Sequence, residues 1–154
     1  MRAILVLSAV VALALAASTA RAVIIVQRGI GGVTLQMTKA QVRATLGRPR
    51  RVRTGTNEFG GFRELVYRRV TVTFQSGSRV SGVRTTSRLE RTGKDVGVDS
   101  SVADVKAHVK GVRCRNEAGF RHCFVGKFLP GRTVTDFRIQ NGHVSSVSVG
   151  FVID

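Results

Sequence analysis

Two stretches of the chain place apolar residues at helical spacing, and most of the remainder alternates apolar and polar positions as strands do. The helical pattern occupies Val33 to Gly47, VTLQMTKAQVRATLG, and returns sixty-three positions later as Val96 to Lys110, VGVDSSVADVKAHVK. At this offset Val33/Val96, Ala40/Ala103, Val42/Val105 and Ala44/Ala107 are identical, and Leu35/Val98, Thr38/Ser101, Gln41/Asp104, Arg43/Lys106 and Leu46/Val109 keep size or charge type. Thr38-Lys39-Ala40-Gln41 has the form of a capping box, and Ser101-Val102-Ala103-Asp104 repeats it with a shorter acid. Val42 and Leu46 at i, i+4, and Val102, Val105 and Val109 at i, i+3, i+7, give each predicted helix one apolar stripe. Gly47 and Pro49 close the first helix and Gly111 the second.

Between and after these helices the two-residue period takes over. Val23 to Gln27 suits a short first strand or an ordered leader, and Gly29-Ile30-Gly31-Gly32 a flexible turn. That turn is no nucleotide loop: Thr34 stands where the third glycine of a dinucleotide fingerprint belongs, and Gly-Lys-Ser/Thr is absent. Arg48 to Arg53 is a dense basic run, and Thr54 to Gly61 is turn-like. Leu65 and Tyr67, then Val70, Val72 and Phe74, predict two half-buried strands; Val80 and Val83 carry a third through a bulge at Ser81-Gly82. A polar link runs from Thr85 to Lys94. Then follow a hairpin between Cys114 and Cys123, a strand through Thr133, Thr135, Phe137 and Ile139, the turn Asn141-Gly142, and a strand through Val147, Val149 and Phe151. The expected architecture is α+β: two tandem helix-plus-antiparallel-meander units, residues 23–92 and 93–154.

The N-terminus changes the compartment. Met1-Arg2, an apolar run from Ala3 to Ala17 and then Ala20-Arg21-Ala22 read as a signal peptide, residues 1–22, with retention as a membrane anchor the alternative. In an oxidising compartment the sole cysteines, Cys114 and Cys123, are expected to form a disulfide. The formal charge is +16. Residues 1–22 hold Arg2 and Arg21 and no acid, so without them 23 basic residues face 9 acidic ones, a charge of +14.

A family resemblance rests on Leu35-Gln36-Met37-Thr38-Lys39-Ala40-Gln41-Val42, Leu46-Gly47-Arg48-Pro49, Tyr67, and Val72 with Phe74. These residues resemble the SmpA/OmlA (BamE-like) outer-membrane assembly lipoproteins. The doubled pattern is also similar to the fold of the secreted β-lactamase inhibitory protein. The lipobox cysteine is missing, Gln36 replaces a usual glycine, and residues 96–151 share in the likeness through the internal repeat alone. The resemblance implies a binding protein without catalytic residues.

The residues themselves agree in naming no reaction. His108, His122 and His143 stand at no metal-ligand spacing, and Asp104 with His108 forms a bare i, i+4 pair. No catalytic, cofactor or metal residue is therefore assigned. Two binding readings remain. Phe59, Phe62 and Phe120 are candidate anchors for a protein partner of inhibitor or assembly type. Arg48, Arg50, Arg51, Arg53, Arg68 and Arg69 are candidates for anionic envelope polymers or lipid surfaces, with nucleic acid disfavoured by export.

Overall fold

The computed structural model describes residues 23–153. The segment expected to be a signal peptide, residues 1–22, lies outside the described residues.

Both capping boxes form. Thr38 caps α1 (Lys39–Leu46): its hydroxyl accepts from the Gln41 N–H, and the Gln41 side chain accepts from the Thr38 N–H at 2.8 Å. Ser101 and Asp104 do the same for α2 (Val102–His108), and hydrogen bonds from the Ser101 hydroxyl and backbone hold the Asp104 carboxyl below the usual carboxylate range. Gly47, at φ +76°, closes α1 as expected. α2 ends earlier than expected, capped by Val109 in an extended conformation.

Three two-residue strands come first: β1 (Ile24–Ile25), β2 (Gly29–Ile30) and β3 (Val33–Thr34), paired in that order. The remaining eight are β4 (Arg51–Asn57), β5 (Gly60–Val66), β6 (Val70–Gln75), β7 (Gly82–Thr85), β8 (Arg113–Glu117), β9 (Phe120–Gly126), β10 (Thr133–Gln140) and β11 (His143–Phe151). They form one antiparallel sheet in the order β4-β5-β6-β7-β11-β10-β9-β8.

This overturns the expected α+β class of two helix-plus-meander units. Half of the described residues are strand and 11% helix, so the described fold is mostly β. β7 and β11 hydrogen-bond directly, with Val83 opposite Val149 and Thr85 opposite Val147, and the eight strands become a single sheet. Helices of eight and seven residues are too short to stand as a layer and are held by the sheet instead.

Opposite residues on paired antiparallel strands share a face. Leu65, Val72, Val83, Val149 and Thr135 lie in register across five strands, and all five are buried. Val42, Val105 and Val109 from the helices and Ile24, Ile30 and Val33 from the small sheet join them in one core. The opposite face carries Arg53, Glu64, Thr73, Arg84, Ser148, Asp136 and His122.

Two local expectations are revised. Arg51 to Asn57, expected to be a basic run leading into a turn, is a strand whose seven residues are all exposed. The bulge falls between Arg138 and Ile139 instead of at Ser81-Gly82. A refinement concerns the Cys114–Cys123 hairpin: the expected bridge is present, with the two residues opposite one another on β8 and β9, and the turn residues are Ala118 and Gly119. Both take positive φ, as do Asn141 and Gly142 in the β10–β11 turn, the conformation a two-residue hairpin loop requires. No helix among the described residues is long and apolar enough to cross a membrane.

Phe137 is the largest fully buried side chain. Phe137→Ala should lower stability by about 3–5 kcal/mol, read as a lower urea midpoint. Arg51→Ala on the exposed edge strand should change it by less than about 0.5 kcal/mol. Equal effects would show that the core is not centred on the sheet face described above.

Candidate functional site

Four of the six candidate arginines line one cavity of about 480 Å³, together with Gly31, Gly32, Thr45, Leu46, Tyr67, Val70 and Glu90. Each wall has a local cause. α1 stops at Gly47, and the following Arg48-Pro49-Arg50 segment leads into β4, with the Arg50 N–H donating to Val66. That directs Arg48 and Arg50 to the cavity. The tight connection between β5 and β6 supplies Tyr67, Arg68 and Arg69, closed by a hydrogen bond from the Tyr67 N–H to Val70. Tyr67 also donates its hydroxyl to the Gly47 carbonyl at 3.3 Å, and burial raises its pKa against the opposing charge of Arg43.

The turn of Gly31 and Gly32 is a wall of this cavity, a role beyond the flexible turn its composition suggested. Both glycines have positive φ. A Cβ on Gly31 would stand 3.2 Å from Val70 Cγ1 and 3.6 Å from Glu90 Oε2, so glycine leaves the carboxylate room.

Glu90 went unnoticed in the polar link. It is 1% exposed, and its Oε2 is the one buried side-chain polar atom, among the described residues, that lacks a hydrogen-bond partner. Its other oxygen lies 4.0 Å from Arg69 Nη1, an ion contact too long for a hydrogen bond. Burial lifts the Glu90 carboxyl above the usual carboxylate range, with Arg69 pulling the other way. The main chain beside it is pinned: the Ile24 N–H donates to the Arg91 carbonyl at 2.8 Å, and Arg91 bridges to both Val23 and Gly97.

The other candidates do not converge here. Arg51 and Arg53 sit on the exposed edge strand, Arg53 3.6 Å from Glu64. Phe59 is 37% exposed in the β4–β5 turn, and the half-buried Phe62 lies over Gly55 on the far face. Phe120 is near the opposite end of the sheet, with the Arg138 guanidinium 4.5 Å from its ring centre.

Around Phe120 lies a second polar cluster that spacing did not reveal. His122 is buried, its Nδ1 2.6 Å from Asp136 Oδ1 and its Nε2 3.3 Å from Glu117 Oε2. Phe120, Phe124 and Phe128 pack about the imidazole with ring centres 5.1–5.6 Å away. Arg115 reaches Glu117 at 2.7 Å and lies over the Phe124 and Phe128 rings. Burial raises the Asp136 carboxyl above its usual range, opposed chiefly by the hydrogen bond with His122. The available signal was the alternation of Phe120, His122 and Phe124 along β9, three ring-bearing side chains on one face. No group of three or more metal-ligating side chains exists among the described residues.

No family model and no curated protein matches the chain. Two solved structures share its fold. A DUF4309 family protein (YjgB) from Bacillus subtilis superimposes with a TM-score of 0.52 at 16% identity, covering 79% of this chain and 84% of that one. An extracellular protein containing an SCP domain from Bacillus anthracis gives a TM-score of 0.51 at 9% identity, covering 76% of this chain. The match spans 44% of that longer chain. Neither bears on the SmpA/OmlA or β-lactamase inhibitory protein resemblance.

The raised carboxyl of Glu90 has a stability consequence. Ionisation costs the folded chain, so that cost is absent below the unfolded value of about 4.3 and fully present once the pH has risen through the folded value. Glu90→Gln should melt with the wild type below about pH 4 and at a higher temperature than the wild type at pH 8. A variant less stable at pH 8 would show that the Arg69 contact outweighs the cost of burial.

Proposed function

We propose that this protein is an exported, non-enzymatic binding protein of the cell envelope or its surroundings, and that its cavity holds an oxyanion group of an envelope component. The observation that carries this reading is the convergence of Arg48, Arg50, Arg68 and Arg69, from two separate sequence stretches, on one concavity. Guanidinium groups present forked donors that match phosphate and carboxylate oxygens, and four beside one buried carboxylate leave the site strongly positive. The helix macrodipole does not assist, because α1 offers the cavity its C-terminal residues, Thr45 and Leu46. An extracytoplasmic location is supported by the signal-like N-terminus, the Cys114–Cys123 bridge and the extracellular neighbour.

Inorganic phosphate titrated into the purified full chain tests the site. Arg48→Ala/Arg68→Ala should weaken binding by about tenfold or more. Arg51→Ala/Arg53→Ala removes the same formal charge from the edge strand and should leave affinity within about twofold. Equal losses in the two variants would mean diffuse attraction to a basic surface and no site.

A second reading, a protein partner, is favoured by the exposed Phe128 and Leu129 beside the arginine-stacked rings of Phe124 and Phe120. Aromatic and arginine side chains dominate interface energetics. Crosslinking from the envelope fraction at high salt should give one defined partner, lost in Phe120→Ala/Phe128→Ala; recovery of polyanions alone, released by salt, would discard this reading.

A further inference from the structure

Glu90 does not belong in a plain anion site. A carboxylate in such a place repels the ligand and loses its own hydration, and Oε2 receives no hydrogen bond in return. Buried polar groups are almost always paired, and an orphan of this kind needs an account. Here Glu90 is one of the residues lining the cavity, and its orphan oxygen lies beside Gly31, where a Cβ would stand 3.6 Å away. The neighbouring cation is on the same wall: Arg69 Nη1 stands 4.0 Å from Glu90 Oε1, and Arg69 itself is about half exposed. The cavity thus presents an acceptor that lacks a donor immediately beside cationic donors with capacity to spare.

We infer that the ligand is zwitterionic, carrying an ammonium group a short spacer away from its phosphate or carboxylate. The ammonium donates to Glu90 Oε2, and the oxyanion is held by Arg69 with Arg48, Arg50 and Arg68. Pairing the two charges of the ligand with the two signs of charge in the cavity satisfies Glu90, which no simple anion can do while Glu90 is ionised. It also gives specificity. A plain phosphate meets the full repulsion of the carboxylate, whereas a phosphate with an adjacent amine converts that repulsion into a charge-assisted hydrogen bond. Among the residues lining the cavity, the arginines are the sole basic groups and Glu90 the sole acid. This inference rests on the oxyanion reading of the same cavity.

Two probes that differ in one group separate the two claims. O-phosphoethanolamine and ethyl phosphate carry the same phosphate on a two-carbon chain, and the first adds the amine. Calorimetric titration of the purified full chain at low salt and pH 7.5 should show phosphoethanolamine binding about tenfold more tightly, as expected for a hydrogen bond to a charged group. Glu90→Gln should reduce that preference to about onefold while ethyl phosphate binds as well as before or better, since a repelling charge has gone. Equal affinities in the wild type overturn the inference without need of any variant, and so does a preference that survives in Glu90→Gln. If neither phosphate binds, the arginine cavity is not an oxyanion site and both readings fall together.

Discussion

The structure depends on the pairing of β7 with β11. Each strand is central, with partners on both sides, and the residues on the covered face, Val83, Thr85, Val147 and Val149, are all buried. Gly82 opposes Gly150 at the end of the contact, where a Cβ on Gly150 would approach the Gly82 Cα at 3.5 Å and the Ser81 carbonyl at 3.2 Å. Small residues let the two backbones close. The same pairing reaches the site. The hydroxyl of the buried Thr85 donates to the Arg69 carbonyl at 2.7 Å and accepts from the Ser87 N–H at 3.0 Å. One side chain therefore fixes both the Arg69 backbone and the start of the link that carries Glu90. The distance between the two charged groups of the cavity is set by the middle of the sheet.

A sheet of eight strands has two edges, and this chain protects both without a covering helix. β4 is exposed throughout and carries Arg51 and Arg53, whose charge opposes strand addition. β8 is tied to β9 by the Cys114–Cys123 bridge and carries Arg113 and Arg115, both placed over the Phe124 ring. The bridge closes a loop of nine residues, which in the chain-entropy account contributes about 2–3 kcal/mol. An outermost strand has one neighbour, so a covalent tie there replaces the missing ladder. The positive charge read from composition thus has a structural use at the edges, distinct from its use in the cavity.

Local elements were legible in the sequence wherever a short rule acts alone. The capping boxes at Thr38 and Ser101, the Asn141-Gly142 turn and the disulfide each follow from side chains close together in the chain, and each is present. β4 was not legible because an exposed edge strand buries neither face, and no apolar alternation marks it. The fold class was misjudged because strand pairing between Gly82–Thr85 and Val147–Gly150 is long-range, and hydrophobic periodicity says nothing of which strands become neighbours. Four of the six arginines chosen for their density proved to share a cavity, whereas Glu90 was hidden in a stretch read as polar linker. Its burial comes from the Val23–Arg91 and Arg91–Gly97 bridges, contacts that composition cannot express.

The two buried ionisable clusters differ in what they ask of their surroundings. His122 has a partner at each ring nitrogen: with Nδ1–H directed to Asp136, Nε2 accepts from Arg115 when the ring is neutral or donates to Glu117 when it is protonated. Either state is satisfied within the chain, and the phenylalanine rings help bury the imidazole itself. Such a network needs nothing from outside and serves to fix the β8–β9 end of the sheet. Glu90 has no equivalent. Its nearest cation is beyond hydrogen-bonding distance, one oxygen is orphaned, and its carboxyl titrates high because burial is not repaid. Of these two clusters, the one already satisfied is architecture. The one left open, facing a cavity with four guanidinium groups, is where a ligand has a part to supply.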